Sequence, residues 1–391
     1  MRMRSVLLSF GLSYLVGIGS AQAHCGGRFA DFIAGLDQEL QQQGLSASQS
    51  RAFLAGARSD PKVLKADRSQ GVFRMEFDSF AQRVISQNRL QNGAKYAARF
   101  KPVFDRVEAQ YGVPRGILLA FWALETDFGQ VQGGFNTRDA LITLAHDCRR
   151  PDLFRPQVLA AAELYRRGDF DPQRTTGAWA GEIGQVQMLP EDILRNGVDG
   201  DGDGHVDLKG SSADALMSAG KMLAGLGWRP NEPWLQEVVV PDTLDWTKTG
   251  LDIRLSGAQW AQMGVRARSG TLASLPGSIL LPMGRKGPAF IAYPNFTTLF
   301  EWNQSFVYVT SAGYFATRLE GAPRYRLGTP DAGLNTSQMK SLQQKLAAKG
   351  YDVGDVDGIL GARTRAAVQA EQARLGLPAD AWPTTAFLGR L

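Results

Sequence analysis

Histidine and cysteine are scarce in this chain, which has three of the first and two of the second. His24, His146 and His205 are far apart and none has HExxH spacing, which argues against a zinc or iron centre. Cys25 and Cys148 have no histidine motif beside them, so neither has the setting of a catalytic thiol. No lysine- and arginine-rich run of the kind that grips nucleic acid occurs, and +5 over 391 residues is a mild basic excess. Past the N-terminal leader there is no apolar run long enough to span a bilayer. What remains is a globular composition, 44% hydrophobic and 21% charged, long enough for two or three domains.

The leader is readable. Arg2 and Arg4, an apolar Val6–Gly19 and the A-x-A pattern Ala21-Gln22-Ala23 read as a secretory signal over residues 1–23. His24 is not the small residue expected before a lipidated Cys25, which favours a soluble exported protein over a lipoprotein. In an oxidising compartment the even pair Cys25 and Cys148 predicts one disulfide. The closed loop exceeds 100 residues, for which chain entropy gives roughly 4–5 kcal/mol.

One stretch organises the rest. Gly116–Gly129 reads GILLAFWALETDFG, uncharged as far as Leu124 and then carrying Glu125. Pro114 suits a first helical turn and Gly129 a helix end, which predicts a single helix between them. Phe121, Leu118 and Ile117 share the face of Glu125, while Leu119, Trp122 and Ala123 fill the other side, so the helix should be buried. Burial and the negative end of the helix dipole both disfavour a charged carboxylate there, which suits a general acid. A buried glutamate paired with an arginine is the structural alternative. Asp127, two residues on, is turned roughly 200° around the helix from Glu125.

Helical spacing also predicts helices over Arg28–Gln43, Ser46–Ala57, Phe77–Asn88, Ala94–Tyr111, Asp139–Ala145, Pro156–Arg167, Asp214–Leu226 and Ser305–Leu319. From Leu235 to about Leu281 that period lapses, and VVVP, LDIRL and SILLP read as short strands. Gln130–Asn136 is glycine-rich and would let a ligand approach closely. Thr175–Pro190 sets small residues beside Gln185 and Gln187, amides able to donate to and accept from sugar hydroxyls. Tyr293–Tyr308 gathers aromatics around Asn295 and Asn303, suited to the faces and substituents of sugar rings.

Asp199–Asp207, DGDGDGHVD, resembles the start of a calcium loop. Asp199, Asp201 and Asp203 take positions 1, 3 and 5, Gly204 the turn at 6, and the His205 carbonyl position 7. The twelfth position is Gly210 rather than an acid, with Asp207 or Asp214 as partial substitutes; an acidic turn without metal is the alternative. Gly321–Leu334 reads as a Gly/Pro linker. Beyond it, Ser337–Lys349, Ala362–Leu375 and Pro383–Leu388 predict a small three-helix domain with no acid–base pair or nucleophile, hence a binding module that folds alone and supplies affinity rather than chemistry.

Taken in order, these features resemble the B-type lytic murein transglycosylases fused to a peptidoglycan-binding module. Over roughly residues 25–320 the resemblance rests on the Glu125 helix, Arg149-Arg150 before an aromatic, GEIGQVQMLP, DGDGDGH, Gly227-Trp228, YPNF and WNQSFVY. Over 335–391 it rests on Leu342, Gln343, Leu346, Gly350, Tyr351, Asp357, Gly358, Gly361, Thr364, Ala367, Val368, Gln372 and Gly376-Leu377-Pro378 with Asp380. The resemblance implies a mainly α fold: a lysozyme-like α+β catalytic domain over 24–320, a 321–334 linker and a three-helix peptidoglycan-binding domain over 335–391.

The resemblance further implies Glu125 as sole acid and base, Gln187 and Asn303 as polar ligands of the sugar, and Trp302 and Tyr308 as aromatic walls. Arg149 and Arg150 would contact the stem peptide. Ala178, Met222 and Trp302 stand where the family commonly has serine, tyrosine and tyrosine; Glu371 and Ala381 depart from the module's pattern. Most glycosidases use two carboxyl groups; here one acid would protonate the glycosidic oxygen and then, as base, help the muramic C6 hydroxyl close a 1,6-anhydro ring. The implied partner is peptidoglycan, both glycan strands and stem peptide, met in the periplasm; no cofactor is required, and calcium enters only as the structural option at the acidic loop. Two further readings are a hydrolytic muramidase, with Glu182 as second carboxylate, and a non-catalytic wall-binding protein.

Overall fold

The computed structural model describes residues 25–69 and 75–391; the leader, His24 and residues 70–74 lie outside them. The N-terminal helices are α1 (Phe29–Gln42), α2 (Ala47–Leu54), α3 (Pro61–Arg68), α4 (Phe77–Val84), α5 (Gln87–Arg99) and α6 (Lys101–Tyr111). Then come α7 (Arg115–Thr126), α8 (Thr137–His146), α9 (Pro151–Arg167), α10 (Pro190–Asn196), α11 (Ser212–Gly225) and α12 (Gly257–Gln262). The catalytic region closes with α13 (Pro294–Trp302) and α14 (Phe306–Leu319), and the C-terminal domain holds α15 (Thr336–Ala348), α16 (Ala362–Arg374) and α17 (Thr385–Leu388). No described helix is long and apolar enough to cross a membrane.

Local chemistry explains most boundaries. Ser46 caps α2 with a reciprocal capping box to Gln49, and Asn335 does the same for α15 with Gln338. The helix expected over Ala94–Tyr111 breaks at Phe100, because Pro102 has no N–H to continue the ladder and instead sits in the first turn of α6. The helix of Glu125 stops at Thr126 rather than running to Gly129. Asp127 and Phe128 take left-handed backbones with φ of 51° and 60°. Arg89 holds the Asp127 carboxylate at 2.9 Å, while Phe128 is buried against Tyr96 and Trp122. Two tertiary anchors therefore override the helix.

A small ribbon pairs β1 (Phe135–Asn136) with β2 (Thr176–Gly177). The larger sheet comprises β3 (Leu235–Val239), β4 (Leu255–Ser256), β5 (Arg266–Ala267), β6 (Pro276–Leu280) and β7 (Ala289–Ala292), antiparallel in the order β4-β6-β7-β3-β5. Strand β7, AFIA, escaped the sequence reading because it is central and all four residues are buried, so no alternation marks it.

Helix α7 is the hub. Ile117 to Ala123 are each at most 1% exposed, and α14 runs antiparallel along it. A Cβ on Gly116 would lie 2.9 Å from the Ala316 carbonyl. The Gly116 N–H donates to the Glu320 carboxylate at 2.8 Å, an acid at the positive end of α7. This seat aligns the end of α7 with the start of α14.

The C-terminal domain has its own core of Met339, Leu342, Leu346, Val353, Val368 and Phe387, yet it is not held on a free tether. Tyr325, in the expected linker, is buried and donates to Asp78; Thr329 donates to the Lys286 carbonyl at 3.0 Å. Gln369 bonds the Trp246 and Thr249 carbonyls at 2.9 and 2.8 Å, and Arg365 donates to the Pro282 carbonyl at 2.8 Å.

Candidate active site

The antiparallel seat of α7 and α14 brings together groups that are 177 and 183 residues apart in sequence. The Glu125 Oε1 accepts from the Trp302 indole N–H at 3.1 Å and from the Tyr308 hydroxyl. Trp302 lies flat on Phe121, ring centres 4.5 Å apart, so the last turn of α13 is fixed against α7. Tyr308 is fixed through a cap: Asn303 Oδ1 accepts from Ser305 N at 2.9 Å, and Ser305 Oγ accepts from Tyr308 N at 3.3 Å.

Two donors on Oε1 make that oxygen a poor place for a proton, so the carboxylic acid carries it on Oε2. Burial pushes the Glu125 carboxyl up to about 7, opposed by the hydrogen bonds from Tyr308 and Trp302 and helped by the nearby Glu182 carboxyl. An acid near 7 is matched to proton transfer at neutral pH. Trp302 and Tyr308, which the resemblance implies as aromatic walls, thus also turn their polar atoms onto the acid.

The facing lip is the loop from Gly177 to Met188, pinned by the β1–β2 ribbon. Its backbone is too tight for side chains at two points: a Cβ on Gly133 would lie 2.1 Å from the Gly177 carbonyl, and one on Gly177 would lie 2.0 Å from the Glu182 carbonyl. Gln185, buried, ties this lip to α7: its Oε1 accepts from Trp122 Nε1 at 3.0 Å and from Ser212 Oγ at 3.0 Å. Thr126 Oγ1 donates to the Gln185 carbonyl at 2.5 Å. Sequence reasoning placed Gln185 on a sugar wall; burial makes it a brace instead.

Gln187 does reach the lip's surface, half-exposed with φ of 52° and its amide nitrogen on the Gly184 carbonyl at 2.7 Å. Left-handed non-glycine residues thus occur on both lips, at Asp127, Phe128 and Gln187, a strain that concentrates at functional sites. Asn295 is not in the cleft, being fully buried and bonded to the backbone of Arg229 and Glu232.

A second carboxyl is present. Glu182 lies within electrostatic reach of Glu125, and burial raises its carboxyl while Arg150 lowers it. Its Oε2 is buried without a hydrogen-bond partner. Arg149 and Arg150 are both ion-paired to Asp67, which is 2% exposed, and Arg150 also covers the Phe154 ring at 4.9 Å. Asp67 was missed: nothing in a polar DRSQ stretch marks one carboxylate as buried. Cys25 and Cys148 are joined in a disulfide, as expected.

In the acidic loop the Asp199, Asp201 and Asp203 carboxylates converge, with one oxygen of each within 4.8 Å of the others. Asp199 also accepts from the backbone of Gly202 and Gly204 at 2.6 and 2.9 Å, which shapes the turn. Asp214 cannot replace the missing twelfth ligand. It is fully buried and accepts from Gly200 and Asp207 N at 2.8 Å each. The His205 ring turns outward to Asp169 at 3.0 Å, and that contact raises its proton affinity.

Against known proteins, residues 28–317 match the transglycosylase SLT domain family. The chain belongs to that family. Residues 335–391 match the peptidoglycan binding domain family, C-terminal to the transglycosylase domain. Membrane-bound lytic murein transglycosylase B of Escherichia coli (strain K12) is 26% identical over 281 residues, covering 69% of this transglycosylase and 77% of that protein. SltB3 from Pseudomonas aeruginosa, solved in complex with NAG-anhNAM-pentapeptide, is 35% identical with a TM-score of 0.85, over 93% of this chain and 99% of that one. Escherichia coli Slt35, solved in complex with calcium, shares the fold at 24% identity and a TM-score of 0.64, over 78% of this chain and 97% of that one.

Proposed function

We propose that this transglycosylase cleaves the MurNAc–GlcNAc β-1,4 bond of peptidoglycan without water, releasing 1,6-anhydromuramyl ends. The carrying observation is Glu125, a desolvated carboxyl with both protein donors on one oxygen. Oε2 delivers its proton to the glycosidic oxygen as the C1–O bond breaks. The resulting carboxylate, steadied by Tyr308 and Trp302, then takes the C6 hydroxyl proton while O6 closes on C1. The proton count returns to its start and no water enters. Gln187 and Asn303 are assigned to the sugar's polar groups, and Arg149 and Arg150 to stem-peptide carboxylates.

Glu182 keeps the hydrolytic alternative concrete, since it supplies a second carboxyl near the first. The anhydro reading is favoured by the likeness to SltB3, which was solved in complex with NAG-anhNAM-pentapeptide. Mass spectrometry of digested sacculi separates the two, because anhydro products are about 18 mass units lighter by one water. Release of only reducing-end products would overturn the proposal. Glu125→Gln, which keeps the shape but has no proton to give, should lose at least about 10²–10⁴ in rate.

The signal-like leader sequence supports a periplasmic setting for this activity, and the C-terminal domain is assigned wall affinity. The three converging aspartates fit a hard divalent cation with oxygen ligands, and calcium there would brace the loop rather than react. Calcium should raise the melting temperature and Asp201→Ala should abolish the rise; identical melts in calcium and in chelator would dismiss the site.

A further inference from the structure

One contact of the C-terminal domain bears on the start of α14. Arg365 of α16 is 8% exposed, and its guanidinium lies 4.3 Å from the centre of the Phe306 ring. Its nitrogens donate to the Leu281 and Pro282 carbonyls at 3.4 and 2.8 Å, and the Trp382 ring centre is 5.8 Å away. Phe306 is the first residue of α14, one residue after the Ser305 cap and two before Tyr308. Cavities of about 200 and 260 Å³ flank the contact, both lined by Arg365. Phe306 itself is buried in the main core, so the stacked pair joins the C-terminal domain to the start of α14. A cation held over an aromatic face and excluded from water is among the stronger side-chain contacts available.

We infer that Arg365 is a positioning residue for the reaction: by clamping Phe306 it fixes the first turn of α14, and so the Tyr308 hydroxyl on Glu125. The binding domain thus completes the geometry of the acid as well as holding the wall. This rests on the reading of Glu125 as the proton donor. A shift of 1 Å in such a group can cost about a hundredfold in rate. Loss of the Tyr308 bond also has a signed consequence, because that bond lowers the proton affinity of Glu125. The ionisable groups around it are Tyr308 on α14, Glu182 on the facing lip and Arg89 of α5, which acts on Tyr308.

The test uses the full chain and a short soluble glycan that the binding domain need not capture. Arg365→Met should lower kcat at least tenfold with KM little changed, and should move the alkaline limb of the pH–rate profile upward. Gln369→Ala removes neighbouring docking bonds without touching α14 and should leave kcat and limb as in wild type. Phe306→Leu removes the ring from the other side and should reproduce the Arg365 phenotype, which keeps the test open if Arg365→Met folds poorly. Folded Arg365→Met and Phe306→Leu with wild-type kcat and limb would overturn the inference. Glu125→Gln, run alongside, reports on the underlying reading: if it retains anhydro release, the assignment of the acid fails instead.

Discussion

Glu125 is raised because water is stripped from it more thoroughly than two hydrogen bonds can offset. Tyr308→Phe removes one of those bonds, so the acid should stay protonated to higher pH. The alkaline limb of the pH–rate profile should move up, while kcat at neutral pH falls about 10–100-fold as the later carboxylate loses its donor. The same group leaves a mark on stability. Its folded value of about 7 exceeds the ordinary 4.5, so the folded chain holds this proton while the unfolded chain releases it. Stability should therefore decline as pH climbs from about 4.5 to about 7 and then level off. Glu125→Gln should lack that decline. Above pH 7 it should be more stable than wild type, on the order of 2 kcal/mol once the solvent-open side of the carboxyl is discounted. Equal urea midpoints for the two proteins at pH 8 would contradict this.

At the level of elements, the cleft is two rigid lips with little slack. Gly177→Ala would drive a methyl into the Glu182 carbonyl and displace the lip that carries Glu182, Gln185 and Gln187. A loss of about 2–3 kcal/mol in stability and a larger fall in kcat than in the variant's folded fraction are expected. Chemical melts beside kinetics on the same samples would show it. The buried carboxyl of α7 was legible in the sequence, because nine uncharged residues precede one carboxylate. The roles of Trp302 and Tyr308 were not. As aromatics in a polar stretch they suit sugar faces equally well, and only the α7–α14 register turns their polar atoms onto Glu125. Gln185 misled for the same reason: an amide near glycine looks like a ligand until burial shows it bonded inward. The calcium-like spacing was plain, whereas the burial of Asp214 depended on Gly200 and Asp207 folding back over it.

Across the whole molecule, two long-range ties close the structure. The Cys25–Cys148 disulfide spans 123 residues, a loop for which chain entropy predicts about 4–5 kcal/mol. Reduction should lower the melting temperature markedly, and alkylation of the unreduced protein should find no free thiol. The second tie is the seat of the C-terminal domain, which the reading of residues 321–334 as a Gly/Pro linker did not reveal. Gly and Pro mark a chain without regular structure, and neither reports that Tyr325 is buried or that Thr329 bonds the Lys286 carbonyl. Truncation before Gly328 should therefore cost thermal stability as well as wall binding, in contrast to a detachable module. An unchanged melt for residues 24–327 would argue against this.

The distance in sequence between Glu125 and its two donors also sets a schedule. Contacts 177 and 183 residues apart close late, because long loops must be ordered before such contacts give anything back. Helix α7 can collapse into its apolar surroundings early, but the emerging chain holds an acid with no Tyr308 and no Trp302 until its last quarter has been made. In refolding, recovery of activity should follow the slowest phase seen by tryptophan fluorescence and trail the recovery of helix. A wall-cutting centre assembled in this order should stay inert in any chain that ends before Tyr308, wherever in the cell that chain is found.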